Sequence, residues 1–373
     1  MRIAHVLNEA VATGNGIVNA TVDLACTQAS AGHEVCLVSS GGGYLDLLSR
    51  FNVRHYTVNL RPSSALKLAR DLPRLKCVIK RARPEIVHAH TVTAAVLMRI
   101  GRAAAGFGNF GLVTTVHNEW RRSANLMRLS DGVIVLSQHG RTELIARGFL
   151  ENKVRVVQHG ILNSPRRDGK CGVPEQRQAS DAGGPQIVTM AGLYVRKGII
   201  EIMRAFGQIA DQFPTASLQI LGWGPGREMF EAQKKWVKGG DRIHFRGFVA
   251  DPRPILRQAS VFVLASHAES FSLAIAEARE AGCAIVATAV GGVPELLEQG
   301  RAGRLIAPRD AEALAEALRD LLSDPGELTR WRQAARSNLD WLSCTRAEKE
   351  TMDVYAAVLR QRALLGSPRP RPV

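Results

Sequence analysis

Short apolar runs alternate with stretches whose apolar residues recur every third or fourth position, and the alternation persists along most of the chain. In the first half the runs are Ile3–Leu7, Glu34–Val38, Val53–Val58, Glu85–His88, Leu112–Val116, Gly132–Leu136 and Val154–Val157. Helical spacing lies between them up to about Ser30, around residues 65–82 and around 92–105. Strand, helix and strand in repetition predict a doubly wound parallel sheet. In such sheets the ligand crevice opens beyond the carboxyl ends of the strands. The loops at Asn8–Gly16, His88–Thr91, His117–Trp120 and Ser137–His139 are therefore expected to line it.

Between Asn163 and Pro185 the periodicity gives way to polar, Gly- and Pro-rich chain, which predicts a linker. The alternation then restarts with strands at Ile187–Ala191, Ser217–Leu221, Ile243–Phe245, Val261–Leu264 and Ala284–Ala287. Helices are expected at Ile199–Gln212, Pro225–Val237 and Pro252–Gln258, from about Leu273, at Ala311–Ser323, and from Gly326 to about Leu365. The expected architecture is α/β: a doubly wound, Rossmann-like domain over 1–165, a linker over 166–185, a second such domain over 186–345, a crossover helix over 346–365 and a basic tail over 366–373. Two crevices facing one cleft would give each domain one substrate to hold.

Composition narrows the class. With 46% hydrophobic and 22% charged residues the chain is that of an ordinary globular protein. No apolar run approaches the ~20 residues of a membrane span. The start, Met1-Arg-Ile-Ala-His-Val-Leu7, lacks the apolar region and cleavage site of a signal peptide, so a cytoplasmic protein is expected. The 6 cysteines are scattered without metal-ligand or redox spacing. The formal net charge of +15 is uneven, because residues 1–180 hold 24 Lys and Arg against 12 Asp and Glu. Within that half, residues 65–83 carry seven basic groups, one acid and leucines at helical intervals, a face suited to an anionic membrane as well as to solvent. Nucleic acid is not expected as a partner, since aromatic platforms and a recognition module are missing.

Chemistry concentrates in Leu264-Ala-Ser-His-Ala-Glu-Ser-Phe-Ser-Leu-Ala-Ile-Ala-Glu277. A buried strand running through a loop into a helix leaves the N–H groups of Ser270, Phe271 and Ser272 at a helix N-terminus, where they could hold phosphates. Glu269 before the helix and Glu277 inside it suit two sets of hydroxyls. Lys197, between a strand and a helix, is placed to neutralise a diphosphate. Gly222, Gly224 and Gly226, and then Gly291 and Gly292, form further glycine turns after strands, where backbone could approach a ligand. His88 and His90 share one face of a strand, but no third ligand with matching spacing is visible, so no metal site is assigned; His117 is the histidine expected at the crevice. Nowhere do two aspartates stand two apart, so metal dependence is not expected.

These blocks together resemble glycosyltransferase family 4, a large family of retaining enzymes with the GT-B fold. The similarity rests on Glu269-Ser-Phe-Ser-Leu-Ala-Ile-Ala-Glu277 with Ala278 and Gly282, Gly192 through Lys197-Gly198, Gly222 to Gly226, Phe245-Arg-Gly-Phe248, Gly291-Gly292 with Glu295, Pro84 to His90, Val116-His117 and Ala31 to Val35, in order over about residues 1–360. The resemblance implies a donor site built from Gly16, Gly192, Arg196, Lys197, Gly222, Gly224, Phe248, Glu269, Ser270, Phe271, Ser272, Leu273 and Glu277, with Lys197, Glu269 and His117 serving catalysis. Glu269 and His117 would meet the donor sugar, Glu277 the ribose, and Lys197 the diphosphate. Gly16 would bring the first loop to the phosphates. The chain departs from the family pattern at Leu193, where an arginine is usual, leaving Arg196 as the substitute contact; at Ser272, where glycine is usual; and at His159, where asparagine is usual.

The implied reaction is transfer of a hexose-type sugar with retention from a UDP- or GDP-linked donor to a polysaccharide, lipopolysaccharide or lipid-linked acceptor, with no cofactor and no metal. Charge then develops on the leaving diphosphate, and preorganised positive groups are the catalytic contribution that matters. A nucleotide-sugar epimerase on the same fold and a non-catalytic nucleotide-sugar-binding protein are the alternatives.

Overall fold

The computed structural model describes residues 1–60, 65–104, 106–167 and 184–366. The central part of the expected linker, residues 168–183, and the tail from 367 lie outside the described residues. Contacts divide the chain into two compact units: residues 1–12, 17–167 and 343–366 form one, and 13–16 with 184–342 form the other.

In the first unit the strands are β1 (Arg2–Val6), β2 (Glu34–Ser39), β3 (Arg54–Thr57), β4 (Ile86–Ala89), β5 (Gly111–Val116), β6 (Gly132–Val135) and β7 (Val154–Val156). All are parallel, in the order β3-β2-β1-β4-β5-β6-β7. The order reverses between β1 and β4, which puts the switch point beside Asn8 and His90. Both faces are covered, and β4, β5 and β6 are buried at every residue, as unbroken apolar runs require.

The second unit holds β8 (Gln186–Met190), β9 (Ser217–Leu221), β10 (Ile243–Gly247), β11 (Val261–Leu264), β12 (Ala284–Thr288) and β13 (Arg304–Ile306). They are parallel in the order β10-β9-β8-β11-β12-β13, with the switch between β8 and β11. Its core is exemplified by the helix Ile199–Ile209, which buries Ile199, Ile202, Met203, Phe206 and Ile209, the one-face spacing of a 3.6-residue repeat. Each such side chain removed from water contributes about 1.5–3 kcal/mol.

The chain between Gly326 and Leu365 is helical, but not as one continuous helix. It is two, Pro325–Arg336 and Cys344–Gly366, because Asn338 adopts a positive φ of 49° and Asp340–Leu342 forms a short 3-10 turn. The first stays with the second unit, and the buried Arg279 guanidinium donates to the carbonyls of Ala335 in its last turn and of Ser337 just beyond it. The second returns to the first unit and lies against β5 and β6, whose opening residues Gly111 and Gly132 leave room for Val358; an added Cβ would stand 2.9 and 2.7 Å from it. Ser137–His139 is likewise no plain loop. Ser137 caps the helix Gln138–Ala146, its hydroxyl accepting from the Gly140 N–H at 3.0 Å.

Candidate active site

Two of the expected residues meet at the switch point of the second sheet. The loop leaving β8 carries Lys197, the loop leaving the neighbouring β11 carries Glu269, and the Lys197 ammonium donates to Glu269 Oε1. Glu269 is 6% exposed, so its carboxylate depends on partners rather than on water. Ser266, fully buried, donates to the same oxygen at 2.8 Å, and Thr288 holds the Ser266 carbonyl at 2.6 Å. Glycine makes this approach feasible at two places. Gly198, at φ +67°, has no Cβ to strike the Ala265 carbonyl, which would be 1.9 Å away. Gly291, at φ +52°, lies so close that a Cβ would stand 1.6 Å from the Glu269 carbonyl, which accepts from the Gly292 N–H at 3.2 Å. The turn read as a ligand loop thus fixes the backbone of Glu269.

The helix after Glu269 begins at Leu273, as expected, and ends at Ala281. Ser272, the serine that replaces the usual glycine, is its N-cap and accepts from the Ile275 N–H at 3.3 Å. Ser270 and Phe271 are buried beside it, and Glu277 sits half-buried in the second turn. Arg196 donates weakly to the Ala268 carbonyl at 3.4 Å and lies over the Tyr194 ring. Thr13–Gly16 belongs by its contacts to this unit: Phe248 borders Gly14, and a Cβ on Gly16 would be 3.6 Å from Leu273.

Leu193, which stands where an arginine is usual, has its side chain wholly buried in the core of the second sheet. Gly222 and Gly224 are required by neighbouring backbone: a Cβ would stand 1.9 Å from the Ala191 carbonyl oxygen and 2.6 Å from the Leu193 nitrogen. Gly192 is similarly hemmed in by the Tyr194 ring at 2.9 Å.

In the first unit the histidines form a cluster larger than the sequence suggests. His88 and His90 do share a face, with rings 4.1 Å apart, and His5 joins them from β1, where it pairs with His88 in register. One ring nitrogen from each of the three lies within 4.8 Å of the others, so the third ligand thought missing is present. Sequence spacing could not reveal it, because strand register set by the fold brings it in. The cluster nevertheless reads as a hydrogen-bonded network rather than a ligand set, since both nitrogens of His5 and His88 already have protein partners. His5 meets Gln28 at 2.7 Å and His90 at 2.9 Å; His88 meets Tyr355 at 2.6 Å and Thr115 at 2.7 Å. His117 continues the cluster, 3.4 Å from His90, and stacks on His159 with centroids 5.3 Å apart. A cavity of about 30 Å³ beside His88, His90 and His159 has room for water but not for a sugar.

Two Rossmann-like units of parallel sheet are the architecture of the GT-B fold. A family model described as Glycosyltransferase Family 4 matches residues 14–162, and one described as Glycosyl transferases group 1 matches residues 184–324. The chain belongs to this family and is a glycosyltransferase. It is 28% identical to glycogen synthase of Mycobacterium tuberculosis over 316 residues, 78% of this chain and 72% of the relative. It is 23% identical over 266 residues to the lipopolysaccharide core biosynthesis glycosyltransferase LpsE of Rhizobium meliloti, 71% of this chain and 74% of that one. Among solved structures, Anabaena HepE in complex with UDP and glucose superposes with a TM-score of 0.80 at 20% identity, covering 96% of this chain and 100% of that one.

The histidine cluster makes stability depend on pH. Burial lowers the pKa of His5 to about 4 and of His159 to about 3, against an ordinary 6.5; burial, then neighbouring rings, push His88, His90 and His117 well down as well. The unfolded chain therefore takes up protons that the folded chain refuses. Stability is full above pH 6.5 and falls below it, continuing to about pH 4 for His5 and about pH 3 for His159. Each ring contributes a loss of up to about 1.4 kcal/mol per pH unit. Urea midpoints should be level near neutrality and drop between about pH 6.5 and 5, with a shallower drop in His159→Asn. A flat profile there would show that the rings are not held neutral.

Proposed function

We propose that the chain transfers a hexose-type sugar, with retention, from a nucleoside-diphosphate sugar to a polysaccharide, lipopolysaccharide or lipid-linked acceptor. The observation that carries this reading is the Lys197 ammonium seated on a buried carboxylate at the switch point of the second sheet, beside the capped N-terminus of the helix Leu273–Ala281. A diphosphate there would meet a cation and the positive end of a helix, the arrangement that favours anions. HepE in complex with UDP and glucose, and LpsE as a glycosyltransferase of lipopolysaccharide core biosynthesis, are consistent with it.

In the proposed reaction the acceptor hydroxyl attacks from the face that the diphosphate leaves, and the departing oxygen takes its proton. The bond to the diphosphate breaks as the bond to the acceptor forms. Lys197 meets the growing negative charge, Glu269 and His117 hold sugar hydroxyls, and Glu277 holds the ribose. Neither acid attacks the sugar, unlike the paired carboxylates of a hydrolase. The ammonium and the helix terminus supply the neutralisation that a divalent cation gives elsewhere, so the reaction is proposed to need neither metal nor cofactor.

The acceptor side is proposed to rest on an anionic membrane surface. No helix among the described residues is long and apolar enough to cross a membrane. Supporting the docking are Ile100, Leu126 and Leu129, exposed on the packed pair formed by the helix Val92–Ala103 and the segment Arg122–Leu129, with Arg121, Arg122 and Arg128 exposed around them. On the basic helix Ala65–Ala82, Arg74, Lys80 and Arg81 are exposed, while Lys67 and Arg70 lie outside the residues whose side chains are described. Leucines that enter the interface and arginines that meet headgroups are the two contributions such binding needs.

Lys197→Ala should lower kcat by about a hundred- to thousandfold while the protein stays folded, losing about 1–3 kcal/mol as Glu269 is left with Ser266 alone. Turnover near wild type in that variant, or activity abolished by a chelator and restored by a divalent cation, would contradict the proposed chemistry. Product formed without any acceptor would point to an epimerase instead. Binding to vesicles should rise with anionic lipid content and fall in Leu126→Ser/Leu129→Ser; binding indifferent to lipid charge would remove the membrane from the account.

A further inference from the structure

The contact between Lys197 and Glu269 is one of several ties between two loops of the second unit, the one leaving β8 and the one leaving β11. Four residues beyond Lys197, in the first turn of the helix Ile199–Ile209, stands Glu201; two residues before Glu269 stands His267. His267 Nε2 and Glu201 Oε1 meet at 2.8 Å, with side chains only 17% and 16% exposed. A carboxylate accepts, so the ring N–H is the donor. The backbone follows the same course: the His267 N–H donates to the Arg196 carbonyl at 2.8 Å, and the Arg196 guanidinium reaches the Ala268 carbonyl at 3.4 Å. An acid in the first turn of a helix is ordinarily accounted for by the helix dipole and faces water. Glu201 is instead mostly covered and turned onto the neighbouring loop.

The two side-chain ties differ in what turnover asks of them. Under the proposed function the Lys197 ammonium leaves Glu269 for the diphosphate, so that tie opens each time a donor binds. It cannot hold the loops in register while it is open. We propose that Glu201 and His267 are positioning residues: their hydrogen bond keeps the two loops in register when Lys197 changes partners, and so holds ammonium and carboxylate at the spacing a diphosphate and its sugar require. The inference rests on the reading of Lys197 as the diphosphate contact, and deepens it. His267 acts through its neighbour, because Ser266 donates to Glu269 Oε1 at 2.8 Å and a shift of one residue carries the other with it. Breaking the pair would leave a largely covered carboxylate without its donor, which is costlier than losing an exposed one.

The test compares the affinities of UDP and UMP, and of GDP and GMP, for the full chain and its variants. The monophosphate is the internal control: general damage to the unit weakens both ligands alike, whereas misplacing Lys197 weakens the diphosphate alone. The wild type should prefer the diphosphate of its base about tenfold or more, and Glu201→Ala and His267→Ala should each cut that preference at least about threefold and lower kcat about ten- to hundredfold, as a ~1 Å misplacement does. Glu201→Gln removes the charge but keeps an accepting oxygen, and His267→Gln keeps a donor at the reach of Nε2; both should retain most of the preference. A preference undiminished in Glu201→Ala and His267→Ala overturns the inference. So does a Glu201→Gln that loses as much as Glu201→Ala, since charge rather than the hydrogen bond would then be acting. A crystal structure of the wild type with the diphosphate bound needs no variant to fold: Lys197 should have left Glu269 while His267 stays on Glu201, and a broken His267–Glu201 contact there overturns the inference. A wild type that binds mono- and diphosphate equally contradicts the reading of Lys197 itself and takes this inference with it.

Discussion

Glu269 is a carboxylate taken almost wholly out of water, and the second unit is arranged around satisfying it. An isolated buried charge costs several kcal/mol, so it persists only where positive or donating groups are brought to it. Here a single oxygen receives the Lys197 ammonium from one strand end and the Ser266 hydroxyl from the next. Those strand ends are adjacent because the sheet order reverses between β8 and β11. Gly198 and Gly291 permit the approach. Under the proposed function the same cation changes partners when a diphosphate arrives, and the carboxylate it leaves turns to sugar hydroxyls. A pair poised between two partners suits this better than a lysine fully committed to either.

The parallel sheets, five of the second unit's six strands and the helix after Glu269 could be read from periodicity, because strands covered on both faces become unbroken apolar runs and their helices keep one apolar stripe; β13, three half-buried residues, could not. Residues such as Lys197 and Glu269 could be read too, since a charged group just past such a run has few structural reasons to be there. What could not be read depends on register and side-chain direction. His5 sits in an apolar strand, and only its pairing with His88 makes it a member of the cluster. Leu193 sits in a loop motif and looks available, yet it turns into the core. Ser266 was within reach, as a small hydroxyl three residues before the acid at a strand end. The break at Asn338 was concealed because apolar spacing continues on both sides of it, and a single left-handed residue leaves little trace in a pattern.

The first unit applies the same physics with neutral groups. Its polar cluster is buried, so each imidazole must find a partner, and the partners form connected chains rather than isolated pairs. The C-terminal helix takes part in this as more than a covering element. Tyr355 and Met352, distant in sequence from the histidines, reach the cluster from it, and Gly111 and Gly132 give it room to lie close.

The claim that carries the most weight is that Lys197 is held ready for a diphosphate. Comparing the affinities of UDP and UMP, and of GDP and GMP, in wild type and in Lys197→Met tests it most directly. The preferred base should bind at least about tenfold more tightly as the diphosphate in the wild type, a difference of ~1.4 kcal/mol, and the preference should vanish in the variant. A diphosphate preference that survives in Lys197→Met would place the charge recognition elsewhere and contradict the account.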